Sequence, residues 1–212
     1  MAVSVHELFA ELDLAYEGPV KWSEAIDAKY NGVYVIALTA DPFSTLGTEK
    51  ELNLCIDTFN FWIEEAPFLE IEGSKVKAIE EVKRHLEGFW QPEEHILYIG
   101  QSSSKTNPLQ KRIKQFYDHK VGQKGPHTGG YWLKLLESVK DCHVFYSRCE
   151  HPIESEFKLL MKFVEKSTGK SFYDLKNFPQ YFPFANLKID ILKSHGIRHY
   201  TNKNTKKSRA GK

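Results

Sequence analysis

"HILYIGQSSSKTNPLQKRIKQF", residues 95–116, decides how this chain is read. It opens as an apolar strand, stops at Gly100 and passes through a serine-rich loop. It restarts as a basic helix, with Leu109, Ile113, Phe116 and Tyr117 at i, i+4, i+7 and i+8 on one buried stripe. Arg112 stands on that helix between Lys111 and Lys114, twelve residues after Gly100. Two questions follow: why the strand ends in Tyr-Ile-Gly, and what the arginine is for.

Working outward, "GVYVIAL" at 32–38 reads as a second buried strand and "CHVFYSRC" at 142–149 as a third. Short helices are expected over "VHELFAEL" and over "WSEAIDAKY", the latter capped by Ser23. Between the first two strands, "LNLCIDTFNFWIEEA" has helical spacing, "PFLEIEG" is a short extended piece, and "SKVKAIEEVKRHLEGFW" is a helix capped by Ser74. "PIESEFKLLMKFVEKSTG" is a helix that stops at Gly169. The sum is a small α+β fold: a three-stranded, mainly antiparallel sheet flanked by helices. One domain over 1–198 includes a helical insertion at about 39–94, and a basic flexible tail follows over 199–212.

Charge is uneven. Residues 1–100 hold 7 Lys+Arg and 19 Asp+Glu, whereas 101–212 hold 22 and 9. Such a chain can offer a basic face to a polyanion, or its halves can attract each other within the fold. The insertion holds 13 acidic against 5 basic residues and is expected to stay off a phosphate backbone. No apolar run approaches the ~20 residues that span a bilayer. The acidic start "MAVSVHELFAELDL" is not a secretion signal. Cys55, Cys142 and Cys149 are odd in number and lack paired zinc spacing, which fits reduced cysteines in the cytoplasm. His195 and His199 have i, i+4 spacing, but Gly196 weakens a helix there and no third ligand is near.

"GVY" at 32–34 and "YIG" at 98–100 resemble the two halves of the signature of the GIY-YIG nucleases. Arg112 falls on the helix where that family carries its catalytic arginine, and His127, in "GPHTGG", falls near a histidine of some homing-type members. Glu156 matches the E-x-x-L-[IL] pattern of the later helix, and Asn186, in "PFANL", matches an asparagine near the end of the family domain. The resemblance covers roughly 30–190. It departs in one respect: the family has about ten residues between the halves, and here 63 run from Val35 to Leu97.

The resemblance implies a Mg²⁺- or Mn²⁺-dependent endonuclease acting on DNA, with Tyr34, Tyr98, Arg112, His127 and Glu156 as catalytic residues and Glu156 as the metal ligand. Tyr34 or His127 would accept a proton from water; Lys111, Lys114 and Asn186 would lie along the nucleic acid. A non-catalytic binding module and a toxin- or defence-type ribonuclease are the alternatives.

The residues carry their own argument. Strand tyrosines each two residues from a glycine can meet on one sheet face, or simply pack. Arginine holds phosphate bidentately as lysine does not. Ile153, Phe157, Leu160, Phe163 and Val164 read as the apolar face of the later helix, with Glu156 inside it and Glu154 on the opposite edge toward Lys158. A carboxylate on a buried face must bind a cation or form an ion pair, for instance with Arg112. His119 competes with His127 for the role of the site histidine.

Overall fold

The computed structural model describes residues 1–47, 51–65, 70–71, 74–76, 78–121, 130–175, 178–186 and 197–198. In chain order the elements are α1 (Val5–Ala10), β1 (Glu17–Lys21), β2 (Gly32–Ala37), α2 (Ile56–Glu65), β3 (Glu70–Ile71) and β4 (Ser74–Lys75). There follow α3 (Ile79–Glu87), β5 (Ile96–Ser102), α4 (Leu109–Asp118), β6 (His143–Arg148), α5 (Pro152–Thr168) and β7 (Ile197–Arg198).

The main sheet is antiparallel throughout, in the order β1-β6-β2-β5. The expected three-stranded sheet is therefore corrected to four. The added strand, "EGPVK", carries Gly18 and Pro19 and is mostly exposed. A proline breaks the ladder unless it lies on an edge, and β1 is an edge strand.

Every residue of β2 is buried, because both faces of the sheet are covered. On one face Tyr34, Ile36, Tyr98, Val144 and Tyr146 pack with Leu109, Ile113 and Phe116 of α4. On the other, Val33, Val35, Ile99 and Phe145 pack with Leu8 and Phe9 of α1 and with Leu159, Leu160, Phe163 and Val164 of α5. Helix α5 ends at Gly169, whose φ of 67° gives the left-handed cap that its sequence predicts.

The expected helix over "WSEAIDAKY" does not form. Ser23 has φ 72°, outside helical space, and the backbone that follows is irregular. The physical reason lies in α4. Its N-cap is Pro108, which has no side-chain hydrogen bond to offer. The orphan N–H groups of Leu109 and Gln110 donate instead to the carbonyls of Tyr30 (2.9 Å) and Ala28 (3.0 Å). Those carbonyls cap a neighbour rather than closing a helix of their own.

The 39–94 insertion is not purely helical. Strands β3 and β4 form a small hairpin, and β3 also pairs with β7 to make a second, three-stranded sheet. Ser74 lies in β4, so α3 begins only at Ile79, after Ala78. Phe59 and Trp62 of α2, and Val82 and Leu86 of α3, share one buried cluster with Tyr34 and Tyr98. Trp62 packs on Trp132 with ring centroids 5.5 Å apart. The insertion thus helps to build the core on the tyrosine face of the sheet. The tail at 199–212 lies outside the described residues.

Candidate functional site

In the β2·β5 pairing Tyr34 stands opposite Gly100, and Ile36 opposite Tyr98. Tyr34 and Tyr98 are therefore diagonal neighbours on one face. Their ring centroids are 5.8 Å apart, and the far side of Tyr98 meets Phe116 of α4 at 5.2 Å. The two signature glycines have steric causes. A Cβ at Gly32 would lie 1.9 Å from the Ser147 carbonyl oxygen on β6. A Cβ at Gly100 would lie 2.6 Å from both Tyr34 Cζ and Tyr98 Cε1. Glycine is needed where the ring of Tyr34 crosses the backbone of the next strand.

Tyr34 is fully buried and Tyr98 is 6% exposed. Burial is the main reason that both phenols ionise well above the ordinary tyrosine range. Two charges then act on both. The Arg112 guanidinium pulls each phenol down, and the Glu156 carboxylate pushes each up. A hydrogen bond joins the two hydroxyls. Arg112 alone therefore does not turn Tyr34 into a base, since burial, Tyr98 and Glu156 together outweigh it.

Arg112 is half-buried beside the buried stripe of α4. Glu156 is half-buried on the inward stripe of α5, in line with the buried Pro152, Leu159, Leu160 and Phe163. Ile153 does not belong to that stripe: it is 55% exposed. Glu154 is exposed and pairs with Lys158 at 2.7 Å. Tyr34, Tyr98, Arg112 and Glu156 thus come within electrostatic reach of one another, while His127 lies outside the described residues. His119 is buried at the end of α4, where its carbonyl accepts from Lys134 Nζ.

Asn186 is buried and holds the free edge of β5. Its Oδ1 accepts from Ile99 N (2.9 Å) and its Nδ2 donates to Ile99 O (2.7 Å). The Ala185 amide donates to Leu97 O at 2.8 Å, so this segment covers the edge beside Tyr98. Lys111 and Lys114 are exposed on α4; Lys111 donates to Thr106 O and Lys114 pairs with Asp118 at 2.8 Å.

Lys134 escaped the sequence reading. Its Nζ donates to the carbonyls of Tyr117 and His119 at the C-terminal end of α4 and lies 5.7 Å from the Phe116 ring centroid. Burial lowers its pKa to about 8. The only signal in sequence was a lone lysine inside the apolar run "YWLKLL".

Among the described residues, no cluster of three or more His, Cys, Asp or Glu side chains can hold a metal ion. A zinc site of protein ligands is thus not built there. Mg²⁺ keeps most of its water and takes one or two carboxylates plus substrate phosphate, a demand that a single half-buried Glu156 fits. None of the described helices is long and apolar enough to cross a membrane. Compared with protein-family models, with curated proteins and with solved structures, the chain matches none.

Proposed function

We propose that this protein is a divalent-metal-dependent endonuclease of GIY-YIG type that hydrolyses phosphodiester bonds in DNA. The observation that carries the reading is the pair of buried phenols on which one guanidinium and one carboxylate both act. A packing role explains two tyrosines in contact. It does not explain an arginine on α4 and a glutamate on α5, the helix that packs on the other face of the sheet, both acting on that pair.

Arg112 holds the scissile phosphate and balances the negative charge that grows on it during in-line attack. A Mg²⁺ ion held by Glu156 would polarise the phosphate and stabilise the leaving oxygen. The phenols stay protonated at neutral pH; one hydroxyl donates to the other, and the O–H left over is the donor that orients the phosphate. The same upward shift favours His127 over Tyr34 as acceptor of the water proton. Asn186 keeps the edge of β5, and with it Tyr98, in register.

The test is incubation of the purified protein with plasmid DNA and with RNA, in Mg²⁺ and in EDTA. DNA cleavage that needs Mg²⁺ and disappears in Glu156→Gln supports the proposal. Binding without cleavage under all conditions makes the chain a binding module; cleavage of RNA alone moves the substrate class.

A further inference from the structure

A pocket of about 540 Å³ lies at one end of the main sheet, outside the cluster described above. In register, Gly32 stands opposite both Ser102 and Arg148, so β2 begins where β5 and β6 end. The residues just beyond those ends, Asn31, Ser103 and Glu150, line the pocket together with the first turn of α5. Its volume is that of a small-molecule site. Asn31 is three residues from Tyr34 along β2, roughly 10 Å at strand spacing.

Its lining is of two kinds. Pro152, Ile153 and Phe157 give an apolar surface, and the large exposure of Ile153 leaves that surface open. Asn31, Ser103 and Glu150 make no side-chain hydrogen bond or ion pair among the described residues. The second carboxylate, Glu154, is engaged with Lys158. Two carboxylates at its wall make the pocket hostile to phosphate. An apolar wall with convergent, unused polar groups suits a flat heterocycle.

We infer that this pocket binds an unpaired guanine base of the nucleic-acid strand next to the scissile phosphate, with Glu150 as the residue that selects it. The inference rests on the nuclease reading above. Guanine alone places two N–H donors, N1–H and N2–H, side by side, and a carboxylate accepts both. Adenine and cytosine set one amino group beside a ring-nitrogen acceptor, and uracil and thymine flank their N–H with two carbonyls. Each of these turns an acceptor toward the second oxygen of Glu150, so that only one of the two carboxylate oxygens gains a donor from the base. Asn31 and His151 supply donors for guanine O6 and N7, and the ring lies on Ile153 and Phe157.

The test is calorimetric titration of the full chain with 5′-GMP, 5′-AMP, 5′-CMP and 5′-UMP, repeated with Glu150→Gln and Glu154→Gln. All four ligands carry the same phosphate, so differences report the base. Wild type should bind GMP about tenfold or more tighter than the others. Glu150→Gln should reduce that preference to about twofold, and Glu154→Gln should keep it. Equal binding of the four nucleotides, no binding of GMP, or a guanine preference that survives Glu150→Gln overturns the inference. Plasmid cleavage in the same preparations separates the two proposals. Guanine preference without cleavage leaves the pocket and removes the nuclease reading; cleavage without guanine preference does the reverse.

Discussion

The ring of Tyr34 lies across the backbone of Gly100: a Cβ at position 100 would be 2.6 Å from Tyr34 Cζ and 2.7 Å from its Oη. Neither ring can retreat easily, because Tyr34 is fully buried and Tyr98 is wedged against Phe116. Gly100→Ala should therefore destabilise the protein by about 1–3 kcal/mol, the usual effect of overpacking. It should also displace the phenols. The check is a double-mutant cycle with Tyr34→Ala in urea unfolding. In that background the Gly100→Ala penalty should shrink; strict additivity would show that the two residues do not contend for this space.

The two carboxylates at the start of α5 offer an internal comparison. Glu156→Gln should lower DNA cleavage by about a hundredfold or more and leave binding intact or tighter, since a negative charge near phosphate is removed. Glu154→Gln should leave cleavage nearly unchanged, because that side chain is exposed and its pairing with Lys158 is weak in water. Arg112→Lys keeps the charge but loses the fork, and cleavage should drop by about a hundredfold. An inactive Glu154→Gln beside an active Glu156→Gln would refute the assignment.

Much of this architecture was legible wherever local pattern and burial agree. Strands β2, β5 and β6 are β-branched and aromatic runs buried on both faces, and α5 has a stripe and a glycine stop. The meeting of Tyr34 and Tyr98 followed from strand period and pairing. What failed depends on distant partners. The 24–30 backbone is held out of a helix because α4 needs its carbonyls, and α4 lies some eighty residues away in sequence. Strand β1 was hidden by Gly18 and Pro19, which only an edge position tolerates. Ile153 looked like a face residue, yet it projects to solvent at the mouth of the α5 pocket, and no periodicity distinguishes an apolar pocket rim from a core.

Asn186 replaces a neighbouring strand for one residue of β5. Asn186→Ala would strand the N–H and C=O of Ile99 at a buried edge. An unpaired buried polar group costs about 1–3 kcal/mol, so the variant should lose at least that much stability. Exchange of the Ile99 amide hydrogen should accelerate more than that of the Val35 amide on the central strand. Asn186→Asp should be no better, since a carboxylate keeps the acceptor but turns an oxygen toward the Ile99 carbonyl. Native stability and unchanged Ile99 protection in Asn186→Ala would show that the edge is held by the backbone of Ala185 alone.

Glu94 is a buried carboxylate whose Oε2 accepts from the amide of Val3 at 2.9 Å. Burial raises its pKa from 4.5 to about 7; Glu93 and Glu7 add to the rise, while the Val3 hydrogen bond and the terminal ammonium oppose it. A raised folded-state pKa means that the native protein binds the proton more tightly than the unfolded chain. The stability Glu94 contributes is therefore complete below about pH 4.5 and is lost as pH rises toward 7. A shift of this size corresponds to roughly 3 kcal/mol. Glu94→Gln keeps an acceptor for Val3 and cannot ionise. It should be more stable than wild type by an amount of that order at about pH 8, and the two should converge at about pH 4. Other ionisable groups, among them Glu11, which Lys166 holds below its ordinary value, are common to both proteins and cancel in the difference. Urea unfolding of the pair across this range is the measurement. A difference that does not change with pH would mean that Glu94 stays ionised in the fold.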